Sequence, residues 1–206
     1  MKNHPRKTAD KRLFLASWLR SPFAVGAVAP SSPALGKLMA AQIDLSAPGV
    51  IVELGGGTGA VTKALLATGL SPKNLIIVER DEGFARLLAG KFPEVRVLRG
   101  DASRLDRLLR HEGITEVSRI VSSLPLLSMP RQTRLTIMVR AFAILAANGV
   151  FVQFTYGLKS PLPEQALHKS GIVARSVGRV WRNMPPATVW RFEKKTFKNG
   201  HKRTEP

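Results

Sequence analysis

Hydrophobic residues in this chain follow two alternating patterns. Short β-branched or aliphatic runs near 50–54, 74–79, 95–99, 117–122 and 148–155 read as buried strands. Segments near 58–68, 82–91, 103–111, 131–146 and 162–169 space their apolar residues as helices do. Asp81 is placed to cap the helix after it, and Gly69, Gly113 and Gly149 to terminate helices. Upstream, Ser32-Pro33 pairs an N-cap with proline at the first helical position and predicts a helix over about 33–42. Thr8 can cap an earlier helix that Ser21-Pro22 ends near Arg20. Two strand-like segments, 172–181 and 188–192, are joined by Asn183-Met184-Pro185-Pro186, the pattern of a closing antiparallel hairpin. Five βα units and a hairpin imply an α/β fold: a mixed seven-stranded sheet with helices on both faces. The expected division is residues 1–42 as a basic tail with amphipathic helices, 43–193 as the folded domain, and 194–206 as a basic polar tail without fixed structure.

The chemistry concentrates after the first strand. Val50-Ile51-Val52-Glu53-Leu54 leads into a loop with glycine at 55, 56, 57 and 59, followed by good helix formers. Strand, glycine turn and helix bring bare backbone against a nucleotide-like ligand. Glu53 stands two positions before the first glycine, where a phosphate-binding loop would not tolerate a negative charge. The acid therefore points to a cationic, phosphate-free ligand, S-adenosylmethionine. The next two strands also end in acids. Glu79 could accept from both hydroxyls of a ribose, and Asp101 from an adenine amino group with the Ala102 backbone beside it. These acids lie 26 and 22 residues apart, a constellation far more specific than one glycine loop. The bland alternative is that each acid caps the next helix, which suits Asp101 and Asp81 best and Glu53 worst. Gly55, Gly57, Thr58, Gly59, Arg80 and Ser123 complete the candidate cofactor set of a class I, Rossmann-like methyltransferase.

Composition narrows the partners. The chain has 32 Lys and Arg against 14 Asp and Glu, a net charge of +18, so an anionic partner is expected, either nucleic acid or an anionic membrane. It has no cysteine, and its four histidines show no ligand spacing, so no metal is expected. Residues 13–19 are too short for a secretory signal core. No run reaches the roughly 18 apolar residues that span a bilayer. A cytoplasmic chain, soluble or peripheral on the inner face of the membrane, is the expectation. In the first helix Phe14, Leu15, Trp18 and Leu19 share a face flanked by Lys11 and Arg12. That pattern fits an interfacial helix or, equally, one packed on the core.

Beyond the general methyltransferase pattern, Phe14-x-x-x-Trp18-Leu19-Arg20-Ser21-Pro22 and Val25-Gly26-Ala27-Val28-Ala29-Pro30-Ser31-Ser32 resemble the N-terminal signature of small bacterial phospholipid N-methyltransferases. The resemblance continues through the glycine loop, Ser123-Leu124-Pro125-Leu126-Leu127, Phe154-Thr155-Tyr156-Gly157 and Asn183-x-Pro185-Pro186-Ala187-x-Val189-Trp190. It implies methylation of phosphatidylethanolamine to phosphatidylcholine, and relatives of the family act on other amine lipids such as ornithine lipids. It also implies that residues 123–127 stand where amino methyltransferases of bases carry Asn-x-Pro-aromatic. Here no asparagine precedes and Leu126 replaces the ring, as suits a flexible aliphatic amine; a buried strand end turning at Pro125 is the other reading. Ser123, Leu124 and Tyr156 are then the candidates nearest the reacting amine, with Pro125 and Leu126 beside the lipid. Tyr156 either offers its ring face to a methylated ammonium or is a core aromatic at a strand end. Arg182 and Asn183 are candidates for the lipid phosphate, whereas Trp181 and Trp190 read as hairpin packing.

No histidine sits at a strand end, so positioning rather than a strong base is expected to dominate catalysis. The rival enzyme is a ribosomal RNA adenine dimethyltransferase, disfavoured by the missing Asn-x-Pro-aromatic motif and by the 14 residues that follow Phe192. A second rival is a basic binding module without chemistry, against which the intact acidic strand ends argue. If the first helix is the membrane element, deleting residues 1–20 abolishes methylation of lipid vesicles while leaving S-adenosylhomocysteine affinity nearly intact. Calorimetry beside a vesicle assay checks this, and full-rate vesicle methylation by the shortened chain would defeat it.

Overall fold

The structure is a computed structural model that describes residues 32–46 and 48–195. The interfacial helix expected around Lys11, Arg12, Phe14, Leu15, Trp18 and Leu19, and the tail beyond 195, lie outside the described residues.

The chain order is α1 (Pro33–Ala40), β1 (Ile51–Leu54), α2 (Ala60–Leu66), β2 (Leu75–Glu79), α3 (Glu82–Lys91), β3 (Arg96–Arg99) and α4 (Leu105–His111). It continues with β4 (Val117–Ser122), α5 (Arg131–Ile144), β5 (Leu145–Tyr156), α6 (Glu164–Lys169), β6 (Ile172–Val180) and β7 (Ala187–Lys194). The caps follow the sequence. Ser32 Oγ accepts from Leu35 N–H at 3.2 Å, and Asp81 Oδ1 from Phe84 N–H at 2.9 Å. Gly69 and Gly113, both with positive φ, end α2 and α4.

All seven strands form one sheet in the order β3-β2-β1-β4-β5-β7-β6. β1 to β5 are parallel, and β7 runs antiparallel to both neighbours. The direction of winding reverses between β1 and β4, so a crevice opens outside their carboxyl ends. Alternation along each strand feeds two cores. Val52, Leu54, Ile120 and Phe151 face α4 and α5. Ile51, Ile77, Val121 and Val152 face α1, α2 and α3. Burial on both faces is why the central strands are apolar runs rather than alternating ones. Among the described residues no helix is long and apolar enough to cross a membrane.

Gly149 does not terminate a helix. α5 ends at Ile144 because Leu145 turns to extended backbone, φ −73° and ψ 133°. β5 begins there, and its register with β4 shifts between the Val117↔Leu145 and Arg119↔Val150 pairs. A Cβ on Gly149 would lie 2.6 Å from Leu145 Cγ, so this irregular stretch needs the missing side chain.

Asn183 ties the ends of the domain together. It is 1% exposed. Its Oδ1 accepts from Ser32 N–H at 3.0 Å and its Nδ2 donates to the Pro185 carbonyl at 2.8 Å. The amide therefore clamps the start of α1 to the β6–β7 connection, and this corrects the expectation that Asn183 meets a lipid phosphate. Replacing Asn183 with alanine orphans both backbone groups and is expected to cost about 2–3 kcal/mol. A lowered urea midpoint at unchanged slope is the readout.

Candidate active site

The last buried turn of β1 carries a carboxylate with no exposed surface. Glu53 is 0% exposed. Its Oε2 accepts from Thr62 Oγ1 of α2 at 2.7 Å, and Oε1 has no hydrogen-bond partner among the described residues. Desolvation raises its pKa from 4.5 to about 7; the Thr62 hydrogen bonds pull the other way and the Glu79 charge adds slightly to the rise.

The loop after β1 bends back over this group. Gly57 has φ 51°, and a Cβ there would meet nothing within 4 Å, so its bare backbone faces open space. Gly59 has φ 81°, and a Cβ there would come within 2.5 Å of the Phe92 ring, so the helix start packs against α3 only without a side chain. Glu79 holds the loop from β2. Its Oε2 accepts from Gly57 N–H at 3.1 Å and its Oε1 from Asp81 N–H at 2.9 Å. Thr58 contributes its carbonyl to Lys91 Nζ at 2.9 Å.

A cavity of about 360 Å³ lies outside the carboxyl ends of β1, β2 and β4. Gly55, Gly57, Glu79, Arg80, Asp101, Ala102, Ser123, Leu124 and Pro125 all line it, so nine of the sequence-predicted residues meet in one place. Asp101 also caps the turn after β3, accepting from Ser103 N–H at 2.8 Å. That backbone bond, with smaller help from the Ser103 side chain, Arg80 and Arg104, holds its carboxyl below the usual range against partial burial. Capping and cavity lining thus coexist in one residue. Ser123 Oγ is buried without a hydrogen-bond partner among the described residues.

Several predicted residues fall elsewhere. Thr58, Gly59 and Glu53 support the loop without lining the cavity. Leu126 is 1% exposed in the core between the sheet and α5, because the short turn after Pro125 points it inward; this corrects its place beside the lipid. Tyr156 is half-buried at the end of β5, outside the cavity, edge-on to Phe154 at 5.4 Å. Burial pushes its phenol up, partly offset by a hydrogen bond with Asn183. Arg182 is exposed on the β6–β7 connection. Trp190 does pack the hairpin, donating from Nε1 to Thr155 Oγ1 at 2.9 Å, but Trp181 is 70% exposed and does not.

Sequence reasoning missed Phe84, Met129, Thr133 and Ile137, which complete the cavity wall. Thr133 and Ile137 are four residues apart on α5, a helical face that the spacing could have shown, and Met129 precedes the helix. It also missed Gln153, a fully buried amide in the apolar run of β5 whose Nε2 donates to the Leu124 carbonyl at 2.9 Å and to Phe154 O. A polar residue inside Val150-Phe151-Val152-Gln153-Phe154 was the available signal.

No family model matches the chain. Over 184 residues it is 32% identical to an ornithine lipid N-methyltransferase of Singulisphaera acidiphila, covering 88% of this chain and 94% of that protein. The chain belongs to that enzyme's family. It is an S-adenosylmethionine-dependent methyltransferase. A ribosomal RNA small subunit methyltransferase A of Afipia carboxidovorans is 40% identical over only 79 residues, 36% of this chain and 27% of that protein. In fold, this methyltransferase matches the 1,6-didemethyltoxoflavin-N1-methyltransferase of Burkholderia thailandensis, with TM-score 0.64, 18% identity and coverage of 95% and 92%. That structure contains S-adenosylhomocysteine. A TehB-like methyltransferase of Corynebacterium glutamicum matches with TM-score 0.59, 18% identity and coverage of 91% and 99%.

The residues present fit the cofactor. Two buried polar atoms, Glu53 Oε1 and Ser123 Oγ, stand without partners among the described residues, and the Gly57 backbone is bare toward the cavity. Three carboxylates at successive strand ends suit a cation and would repel a pyrophosphate. When bound, S-adenosylmethionine supplies an electrophilic methyl group; Glu79 and Asp101 with the glycine loop would hold it, and Glu53 lies buried behind that loop. Among the described residues no group of three or more His, Cys, Asp or Glu could hold a metal ion.

Glu53 makes both binding and stability depend on pH. A cationic sulfonium favours the ionised carboxylate, so S-adenosylmethionine affinity is expected to rise as pH increases through about 7. Stability of the free protein runs oppositely. The contribution of Glu53 is present below about 4.5 and is lost as pH rises through about 7. Glu53→Gln is expected to flatten both profiles and to weaken cofactor affinity by about tenfold or more. Calorimetric titrations and thermal melts between pH 5 and pH 8 test this.

Proposed function

We propose that this methyltransferase methylates the amine headgroup of a phospholipid at an anionic membrane surface, converting phosphatidylethanolamine through mono- and dimethyl forms to phosphatidylcholine. The observation that carries a lipid substrate is the near full-length similarity to a lipid N-methyltransferase, set against a similarity to ribosomal RNA methyltransferases that spans about a third of the chain. The activity of that relative favours a second reading, N-methylation of an ornithine lipid.

The wall beside the cofactor cavity supports an aliphatic amine. Ser123, Leu124 and Pro125 line it with two apolar side chains and one hydroxyl, and no aromatic plane stacks at Leu126. Gln153 fixes the Leu124 carbonyl, a hydrogen-bond acceptor at the edge of this wall. With Leu126 N–H also donating to it at 2.8 Å, this carbonyl is fully engaged and holds the wall in place. Tyr156, with its phenol pushed up, is protonated at neutral pH and offers a ring face rather than a base. The proton of the amine leaves to water, and rate enhancement comes from holding the neutral amine at attack distance. The basic charge of the chain serves attraction to the anionic leaflet, about 1 kcal/mol for each well-placed Lys or Arg.

Methyl transfer from labelled S-adenosylmethionine is the deciding experiment, with phosphatidylethanolamine vesicles, ornithine lipid vesicles and ribosomal RNA as acceptors. Label is expected in mono-, di- and trimethylated phosphatidylethanolamine, more so with an anionic lipid present. Label confined to ornithine lipid would select the second reading, and label in RNA alone would overturn both.

A further inference from the structure

The three most exposed large apolar side chains among the described residues are Leu158 at 70%, Trp181 at 70% and Met184 at 79%. They are far apart in sequence, yet the sheet gathers them. Tyr156 pairs with Ala187, and Ala187 with Val180, so the last residues of β5 and β6 lie in one row with the first residue of β7. Leu158 follows one end of that row, and Trp181 and Met184 lie on the connection that leaves the other. The loop after β5 is fastened there. Gly157 N–H donates to the Pro186 carbonyl at 3.4 Å, Thr188 Oγ1 donates to the Gly157 carbonyl at 2.6 Å, and Thr155 Oγ1 donates to the Lys159 carbonyl at 3.0 Å. These apolar side chains therefore project from a hydrogen-bonded sheet end.

Their charge environment is one-sided. Lys159 and Arg182 are exposed beside them, and the Arg179 guanidinium stacks on Trp181 at 4.2 Å from the ring centroid. Residues 154–163 and 174–192 contain no Asp or Glu. Exposed apolar side chains, one of them tryptophan, rimmed by cations without acids suit the boundary between anionic headgroups and acyl chains. RNA would also welcome the cations, but exposed leucine and methionine give it nothing to pair with. The chain also enters the described structure at this end, since Ser32 is hydrogen-bonded to Asn183 of the same connection.

We propose that loop 157–159 and the β6–β7 connection form a docking surface for an anionic lipid bilayer, with Leu158, Trp181 and Met184 inserting below the headgroups and Lys159, Arg179 and Arg182 meeting lipid phosphates. This deepens the lipid-methylation reading and rests on it. It places the carboxyl end of β5, with Tyr156, against the membrane, so an amine headgroup reaches the site from the leaflet rather than from solution.

The test uses the full chain and the variant Leu158→Ser/Trp181→Ser/Met184→Ser. Sedimentation with vesicles of phosphatidylethanolamine and phosphatidylglycerol is expected to show about tenfold or greater loss of affinity in the variant. S-adenosylhomocysteine affinity, thermal midpoint and methylation of detergent-dispersed lipid are expected to stay within twofold or a few degrees of the unsubstituted chain. Unchanged vesicle affinity would overturn the proposal. An equal loss of affinity for an RNA oligonucleotide would overturn it in favour of a nucleic-acid surface. Failure of the substrate reading is seen separately, as absence of methyl transfer to any amine lipid in detergent, while the vesicle isotherms still decide the docking surface.

Discussion

Glu53 is as fully buried as Val52 and Leu54 on either side of it. An ionised carboxylate in that position costs several kcal/mol unless its charge is paired or given up. The free protein meets this cost partly through the Thr62 hydroxyl and partly by holding the proton more tightly, and one oxygen still lacks a partner among the described residues. The surrounding architecture depends on keeping that oxygen dry. The glycine loop folds back over the end of β1, Glu79 fastens the loop from below through Gly57 N–H, and α2 contributes the hydroxyl. Glu53 therefore stands as a buried acid directly behind the loop whose Gly55 and Gly57 line the cavity.

The side of the cavity next to β4 is uncharged. The reversal of strand order between β1 and β4 separates two loops that would otherwise be bridged by a helix connection, and Ser123, Leu124 and Pro125 line the gap. Gln153 extends this arrangement from β5, using a buried amide to fix a backbone carbonyl. Its own Oε1 lacks a partner among the described residues. Among the described residues, Glu53, Ser123 and Gln153 on or beside three adjacent strands each keep one side-chain oxygen without a partner.

Asn183 shows how the far end of the sheet is held to the same purpose. A single buried amide joins the first turn of α1 to the β6–β7 connection and contacts Tyr156. By satisfying backbone groups internally it leaves the neighbouring residues Trp181, Arg182 and Met184 turned outward. A lipid-phosphate contact and a structural clamp demand opposite placements of the same side chain, and burial decides for the clamp.

The sequence by itself determined the strands, most of the helices and the cofactor loop. These depend on local periodicity, on capping at Ser32 and Asp81, and on glycines whose backbone conformations few other residues adopt. It also determined that Glu53, Glu79 and Asp101 end successive strands, because a parallel α/β sheet aligns the carboxyl ends of its strands whatever the side chains are. Only the tertiary structure decided which face each neighbouring residue takes. Leu126 and Leu127 are adjacent and equally apolar, yet one is in the core and the other is 40% exposed, because the turn after Pro125 sets their directions. Asn183 read as a ligand and Trp181 as packing for the same reason: residue type states what a side chain can do, and burial against partners distant in sequence states what it does. The cavity wall from α5 and the gathering of Leu158, Trp181 and Met184 at one sheet end are long-range in the same sense. They arise from strand pairing between segments whose local patterns carry no trace of one another.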